Sequence, residues 1–135
     1  MNPPSFLAAS LYVVLGGGAG AWLRFLSGRM WSAMIGPVAA ASFPWATLFV
    51  NVTGSLAMGV LVGWLARHGS GGEHWRLLLG VGVLGGFTTF SSFSLELVLL
   101  IERGAYGPAA GYAAASLVAG VAGLFAGLAL VRGLA

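Results

Sequence analysis

Lysine, aspartate and cysteine are all missing from this chain of 135 residues. Without cysteine there is no disulfide framework and no thiolate nucleophile or metal ligand, and the redox compartment is left open. Without lysine and aspartate the charged fraction falls to 7%, far below what the surface of a soluble globule of this size requires. The positive charges are six arginines, Arg24, Arg29, Arg67, Arg76, Arg103 and Arg132, spaced singly along the chain. A net charge of +3 distributed in this way forms no basic patch, so nucleic acid is not an expected partner. The two histidines, His68 and His74, share a polar connector with Glu73 and make neither a metal motif nor a nucleophile-base set. Enzymatic chemistry is therefore not expected.

Apolar side chains are abundant. Hydrophobic residues make up 59% of the chain, and the mean hydropathy is +0.95. Turn residues and charges cut the sequence into four apolar segments, at about 6–26, 45–66, 76–101 and 107–131. Each reaches the roughly 20 residues that a helix needs to cross the hydrocarbon core. Strands of a membrane barrel would alternate apolar and polar residues, whereas 56–65 and 117–130 are apolar or small nearly throughout. The expected fold is an all-α membrane protein with four transmembrane helices, forming one membrane domain over 1–135. Membrane lipid is its immediate surrounding. No basic run precedes the first apolar stretch, so that stretch is read as a spanning helix and not as a cleaved signal.

The arginines are nearly balanced across the membrane. Arg67, Arg76 and Arg132 fall on one side, Arg29 and Arg103 on the other, with Arg24 near a boundary. Such a weak positive-inside bias fits either a small sample or a chain that inserts in both orientations and forms an antiparallel dimer. Four short helices enclose little interior, which also favours an oligomer.

Polar residues inside the spans mark faces turned away from lipid. Thr47, Asn51 and Ser55 recur every fourth residue in the second span, and Tyr112 and Ser116 do so in the fourth. Asn51 suits either a path lining or helix–helix glue. Glycines and alanines at 107, 111, 115, 119, 123 and 127, and the run Gly16-Gly17-Gly18-Ala19-Gly20, suit close helix packing. Glu96 lies well inside the third span, where a carboxylate needs a partner or a function; Arg24 suits either a boundary or a polar site within the protein.

The third span carries Gly85-Gly86-Phe87-Thr88-Thr89-Phe90-Ser91-Ser92-Phe93-Ser94. Two glycines and five hydroxyl residues predict a helix broken near its middle, around 85–89. Unwound backbone at membrane depth is tolerated only when it is buried in protein or lines a cavity. A break frees carbonyls for a cation and aims the N-terminus of the next half-helix into the path. Phe90 and Phe93 suit either packing or presentation of electropositive ring edges to an anion.

Three stretches, residues 17–25, 47–55 and 85–96, together resemble the Fluc or CrcB family of small membrane fluoride channels. The Gly-Gly-Phe-Thr-Thr-Phe-Ser-Ser-Phe-Ser string is the most specific of the shared features. The resemblance implies an antiparallel homodimer with two separate pores, in the inner membrane of a prokaryote, exporting fluoride passively. It implies that Phe90, Phe93 and Asn51 attend the fluoride ion, with Ser91, Ser94, Thr47, Tyr112 and Ser116 as further polar lining. It also implies that the backbone carbonyls of Gly85 and Thr88 hold a structural sodium ion (Na+) at the dimer centre. Arg24 resembles a vestibule arginine and Glu96 a polar position on the third helix. One departure is Gly120, where some relatives continue the polar track with a hydroxyl. The rival readings are a fluoride/proton exchanger or another small-solute transporter, with Glu96 as the proton group, and a purely structural membrane subunit.

Overall fold

The computed structural model describes residues 4–68 and 72–133. The side chain of His68 and connector residues 69–71 lie outside the described residues. The first helix, α1, spans Phe6–Ile35, with the Ser5 hydroxyl accepting from the Ala8 N–H at its start. At the usual rise its 30 residues extend about 45 Å, beyond the apolar stretch and past the hydrocarbon thickness. Gly36, at φ 83°, ends it in a conformation closed to most side chains. A short helix, α2 (Pro37–Ser42), follows with proline at its first position, and α3 spans Trp45–His68.

The third crossing is composite. It comprises α4 (Glu73–Trp75), a π-helical segment (Arg76–Leu84), α5 (Gly85–Phe87) and, after an interruption, α6 (Phe90–Glu102). In the π-helical segment each bond reaches five residues back, as the Gly85 N–H does to the Gly80 carbonyl. Gly104, at φ 72°, turns the chain into α7 (Tyr106–Gly133), while the Ala105 N–H closes on the Leu100 carbonyl.

Four helical crossings of this length and apolarity make the chain a multi-pass integral membrane protein. The helices associate in two backbone-to-backbone seams. A side-chain carbon at Gly16 would meet the Leu78 carbonyl, and one at Gly20 the Val83 carbonyl; Gly86 faces the Gly17 carbonyl in the same way. This seam joins α1 to the first half of the third crossing. The other joins α3 to α7, where Gly59 lies on the Leu124 carbonyl and Gly127 on the Leu56 carbonyl. In lipid, where apolar contact alone gives helices no preference for one another, such close approach is a principal source of association. Part of the expected small-residue stripe packs in this manner; Gly107 and Gly111 have open space beside them.

The interruption does not fall at the glycine pair. Gly85 remains helical at φ −64°, ψ −37°, and the chain opens only at Thr88 (φ −76°, ψ 159°) and Thr89 (φ −153°, ψ 120°). Gly86 serves the seam against α1, and the threonines make the break. Side-chain hydrogen bonding supplies the reason. The Thr88 hydroxyl and N–H both donate to the Leu84 carbonyl, closing the first half, and the Thr89 hydroxyl accepts from the Ser92 N–H, capping the second.

A geometry for carrying an ion

The break is held open from α3. The Thr89 N–H donates to Asn51 Oδ1 at 2.8 Å, and Asn51 Nδ2 donates to the Thr89 carbonyl at 3.0 Å. One side-chain amide thus supplies the Thr89 N–H with the acceptor the helix no longer gives it, joins two helices and borders a cavity. One Nδ2 hydrogen is committed to Thr89, leaving the second for that cavity.

The last four carbonyls of the first half, at Gly85, Gly86, Phe87 and Thr88, lose the donors that an unbroken helix would give them. In an unbroken helix the Thr89 N–H would bond the Gly85 carbonyl and the Ser92 N–H the Thr88 carbonyl. Here the first goes to Asn51 and the second to the Thr89 hydroxyl. Gly85 and Thr88, whose carbonyls the family resemblance implies as cation ligands, are two of these four. Neutral carbonyl oxygens are hard ligands suited to a hard cation, and two from one chain make only part of a shell. Among the described residues no cluster of three or more histidine, aspartate or glutamate side chains offers an alternative metal site.

The cavity beside the break has a volume of about 370 Å³ and is lined by Asn51, Ser55, Thr89, Phe90, Phe93 and Ser116 among others. The Ser116 hydroxyl is enclosed yet has no hydrogen-bond partner. An enclosed hydroxyl without a partner is costly unless something polar enters beside it. Phe90 is 79% exposed in the single chain although it sits at the centre of a crossing, and its ring lies 5.7 Å from that of Phe93. Phe93 is partly buried against Tyr112, ring centroids 5.1 Å apart.

Beyond Phe93 lies a second polar group. Glu96 accepts from the Thr47 hydroxyl on one oxygen and from the Tyr112 hydroxyl on the other, each at 2.8 Å. Tyr112 is fully buried. The intramembrane carboxylate therefore has its partners, drawn from α3 and α7.

The residues expected at the site divide accordingly. Asn51, Phe90, Phe93 and Ser116 share the cavity; Thr47, Tyr112 and Glu96 form the cluster on the other side of Phe93. The Ser94 hydroxyl donates to the Phe90 carbonyl and Ser91 lies within 3.3 Å of the Thr89 hydroxyl, so both support α6 and neither lines the cavity. Arg24 is half-buried on α1, well before Ile35, and joins neither group. Two contributors were not singled out for the site. Thr89 is announced by a cap pattern, threonine followed three residues later by serine. Ser55 stands beside Gly120, where an added side-chain carbon would lie 3.6 Å from the Ser55 hydroxyl.

Four crossings, one interrupted at mid-depth beside a cavity of mixed polar and apolar lining, define a small polytopic membrane protein. Residues 11–128 match the model of the CrcB-like family, described as camphor resistance (CrcB), and the chain belongs to that family. It is 62% identical over 129 residues to a protein of Novosphingobium aromaticivorans named fluoride-specific ion channel FluC, covering 96% of this chain and 100% of the relative. A protein of the same name from Rhodospirillum centenum is 56% identical over 122 residues, covering 90% of this chain and 94% of the relative. Another from Sphingopyxis alaskensis is 53% identical over 120 residues, covering 89% and 92%.

Proposed function

We propose that the chain is a passive, fluoride-selective channel of a bacterial inner membrane, working as an antiparallel homodimer with two pores. The observation that carries this reading is the Asn51–Thr89 clamp with its half-lined cavity. It pairs an opened backbone with an exposed phenylalanine, an enclosed unpartnered hydroxyl and a spare amide hydrogen. The names borne by the relatives agree with it.

Fluoride is small, hard and tightly hydrated, so a conduit must replace its water without binding it too strongly. The second Asn51 amide hydrogen and the Ser116 hydroxyl are neutral donors, and the ring edges of Phe90 and Phe93 carry partial positive charge. No formal positive charge stands among them to trap the ion. A second copy of the chain would cover Phe90 and the opened backbone, which otherwise face hydrocarbon at a cost of several kcal/mol per unsatisfied group. The weak charge asymmetry of the connectors suits insertion in both orientations.

The same pairing would bring the Gly85 and Thr88 carbonyls of both copies together. Sodium bound by those four oxygens would neutralise converging carbonyl dipoles. Within each chain, Asn51 and Thr89 keep the two carbonyls free of helical hydrogen bonds. A proton-coupled carrier would need Glu96 to exchange protons during transport, and the Thr47 and Tyr112 hydroxyls occupying both its oxygens favour a fixed structural role.

The test is flux from liposomes containing the purified chain, followed with a fluoride-selective electrode. Rapid, passive fluoride efflux that excludes chloride is the expected result. Fluoride movement tied to protons in fixed ratio would establish the exchanger instead, and absence of flux from correctly assembled protein would leave a structural subunit.

A further inference from the structure

A recess of about 210 Å³ lies between α2 and α6, on the far side of Phe93 from the Asn51 cavity. Its lining includes Ala41, Ser42, Glu96 and Arg103. Glu96 lines this recess and stands outside the lining of the Asn51 cavity. Through Tyr112 it adjoins Phe93, which lines that cavity. Arg103 follows Glu96 by two helical turns, which on an α-helix sets it on nearly the same face about 10 Å further out. Its guanidinium Nη1 donates to the Ala41 carbonyl at 3.1 Å, tying α2 to the end of α6. Arg103 forms no ion pair among the described residues, whereas Arg76 is neutralised by Glu73 at 2.7 Å.

We propose that this recess is one mouth of the anion path and that Arg103 enriches anions there through its charge. The inference rests on the channel reading and adds to it a residue that no part of that reading uses. A carboxylate at the inner end of a narrow recess repels an approaching anion. An unpaired cation at the outer end offsets that repulsion without entering the path, where it would hold the ion. α2 is the strap that fixes the guanidinium at the rim.

One unpaired charge at this range changes the local anion concentration by about two- to fivefold at low ionic strength, an effect that salt screens. Because the chain has no cysteine, Arg103→Cys introduces a single addressable thiol. Unitary fluoride currents of the reconstituted protein in planar bilayers would be recorded before and after modification with a cationic trimethylammonioethyl or an anionic sulfonatoethyl thiosulfonate. The expected result is a current lowered about two- to fivefold by Arg103→Cys, lowered further by the anionic group and restored toward the parent value by the cationic one. The differences should shrink as ionic strength rises.

The trimethylammonium group carries charge but cannot donate to the Ala41 carbonyl, so its rescue separates charge from tethering. Equal currents with either reagent, or recovery only with Arg103→Lys, would overturn the proposal and leave Arg103 a structural tie. Should the cysteine variant assemble poorly, Arg103→Gln, a neutral donor, is compared with Arg103→Lys, a charged one; a higher current with lysine is expected, and equal currents would overturn the proposal. Absence of fluoride current in the parent protein would instead refute the channel reading itself.

Discussion

The two halves of the third crossing solve opposite problems with the same backbone. The first half, through the π-helical segment and α5, is glycine-rich and presses its main chain onto that of α1. The second half, α6, carries phenylalanines, serines and a carboxylate, and its beginning stands away from its neighbours far enough to leave a cavity. Where backbones touch, no room remains for side-chain chemistry; where side chains hold the helices apart, every polar group needs a partner from elsewhere. Thr88 and Thr89 are the boundary between these regimes. They end one helix and cap the next with their own hydroxyls, and Asn51 satisfies the peptide between.

If the first half is a packing device, Gly20→Val should give the largest loss of all, since its side chain would be driven into the Val83 carbonyl with only backbone to yield. No monodisperse protein is expected on size exclusion, whereas Gly28→Ala, with open space beside it, should elute as the parent does. At the boundary, Asn51→Leu leaves the Thr89 N–H without a partner, at about 1–3 kcal/mol, while the Thr89 carbonyl keeps the first bond of α6. Thermal unfolding in detergent should move down accordingly, and fluoride flux should fall at least about a hundredfold, since the clamp and the amide donor go together.

In the second half, Phe90→Ile and Phe93→Ile retain bulk while removing ring edges. Flux should fall by about tenfold or more in each, corresponding to a lost attraction of about 1.4 kcal/mol, with assembly unchanged. Normal permeation in both variants would remove the phenylalanines from the path. Tyr112→Phe and Thr47→Val each take one donor from Glu96, at about 1 kcal/mol, and the double variant should cost less than or more than their sum because both bind one carboxylate. Strict additivity in unfolding measurements would dissolve that cluster as a unit. The smallest effect belongs to the Glu73–Arg76 pair, which is exposed; Arg76→Gln should leave unfolding and flux indistinguishable from the parent.

The crossings were legible because hydropathy over twenty residues is an additive property that needs no knowledge of neighbours. The existence of an interruption was legible for a similar reason, since glycine and hydroxyl residues crowd one short stretch. Its position was not. Glycine weakens a helix in isolation, yet Gly86 here gains a close approach to Gly17, and that compensation depends on a helix some seventy residues earlier. The i, i+4 stripe correctly grouped Asn51 with Ser55, while Thr47, one turn earlier on the same face, reaches Glu96. Periodicity reports which face a residue shares; it carries no information about which neighbour stands opposite at each level. The partners of Glu96 were hidden for that reason, being distributed over α3 and α7.

The reciprocal bonds between Asn51 and Thr89 carry a mechanical consequence. They lock the axial register of α3 against the interrupted crossing, because sliding either by a fraction of a turn breaks both bonds together and strands a peptide group at membrane depth. A conduit assembled around such a latch has no inexpensive way to shut by moving these two helices past one another. On the proposed channel reading, discrimination among ions would then reside in the resting structure at every moment.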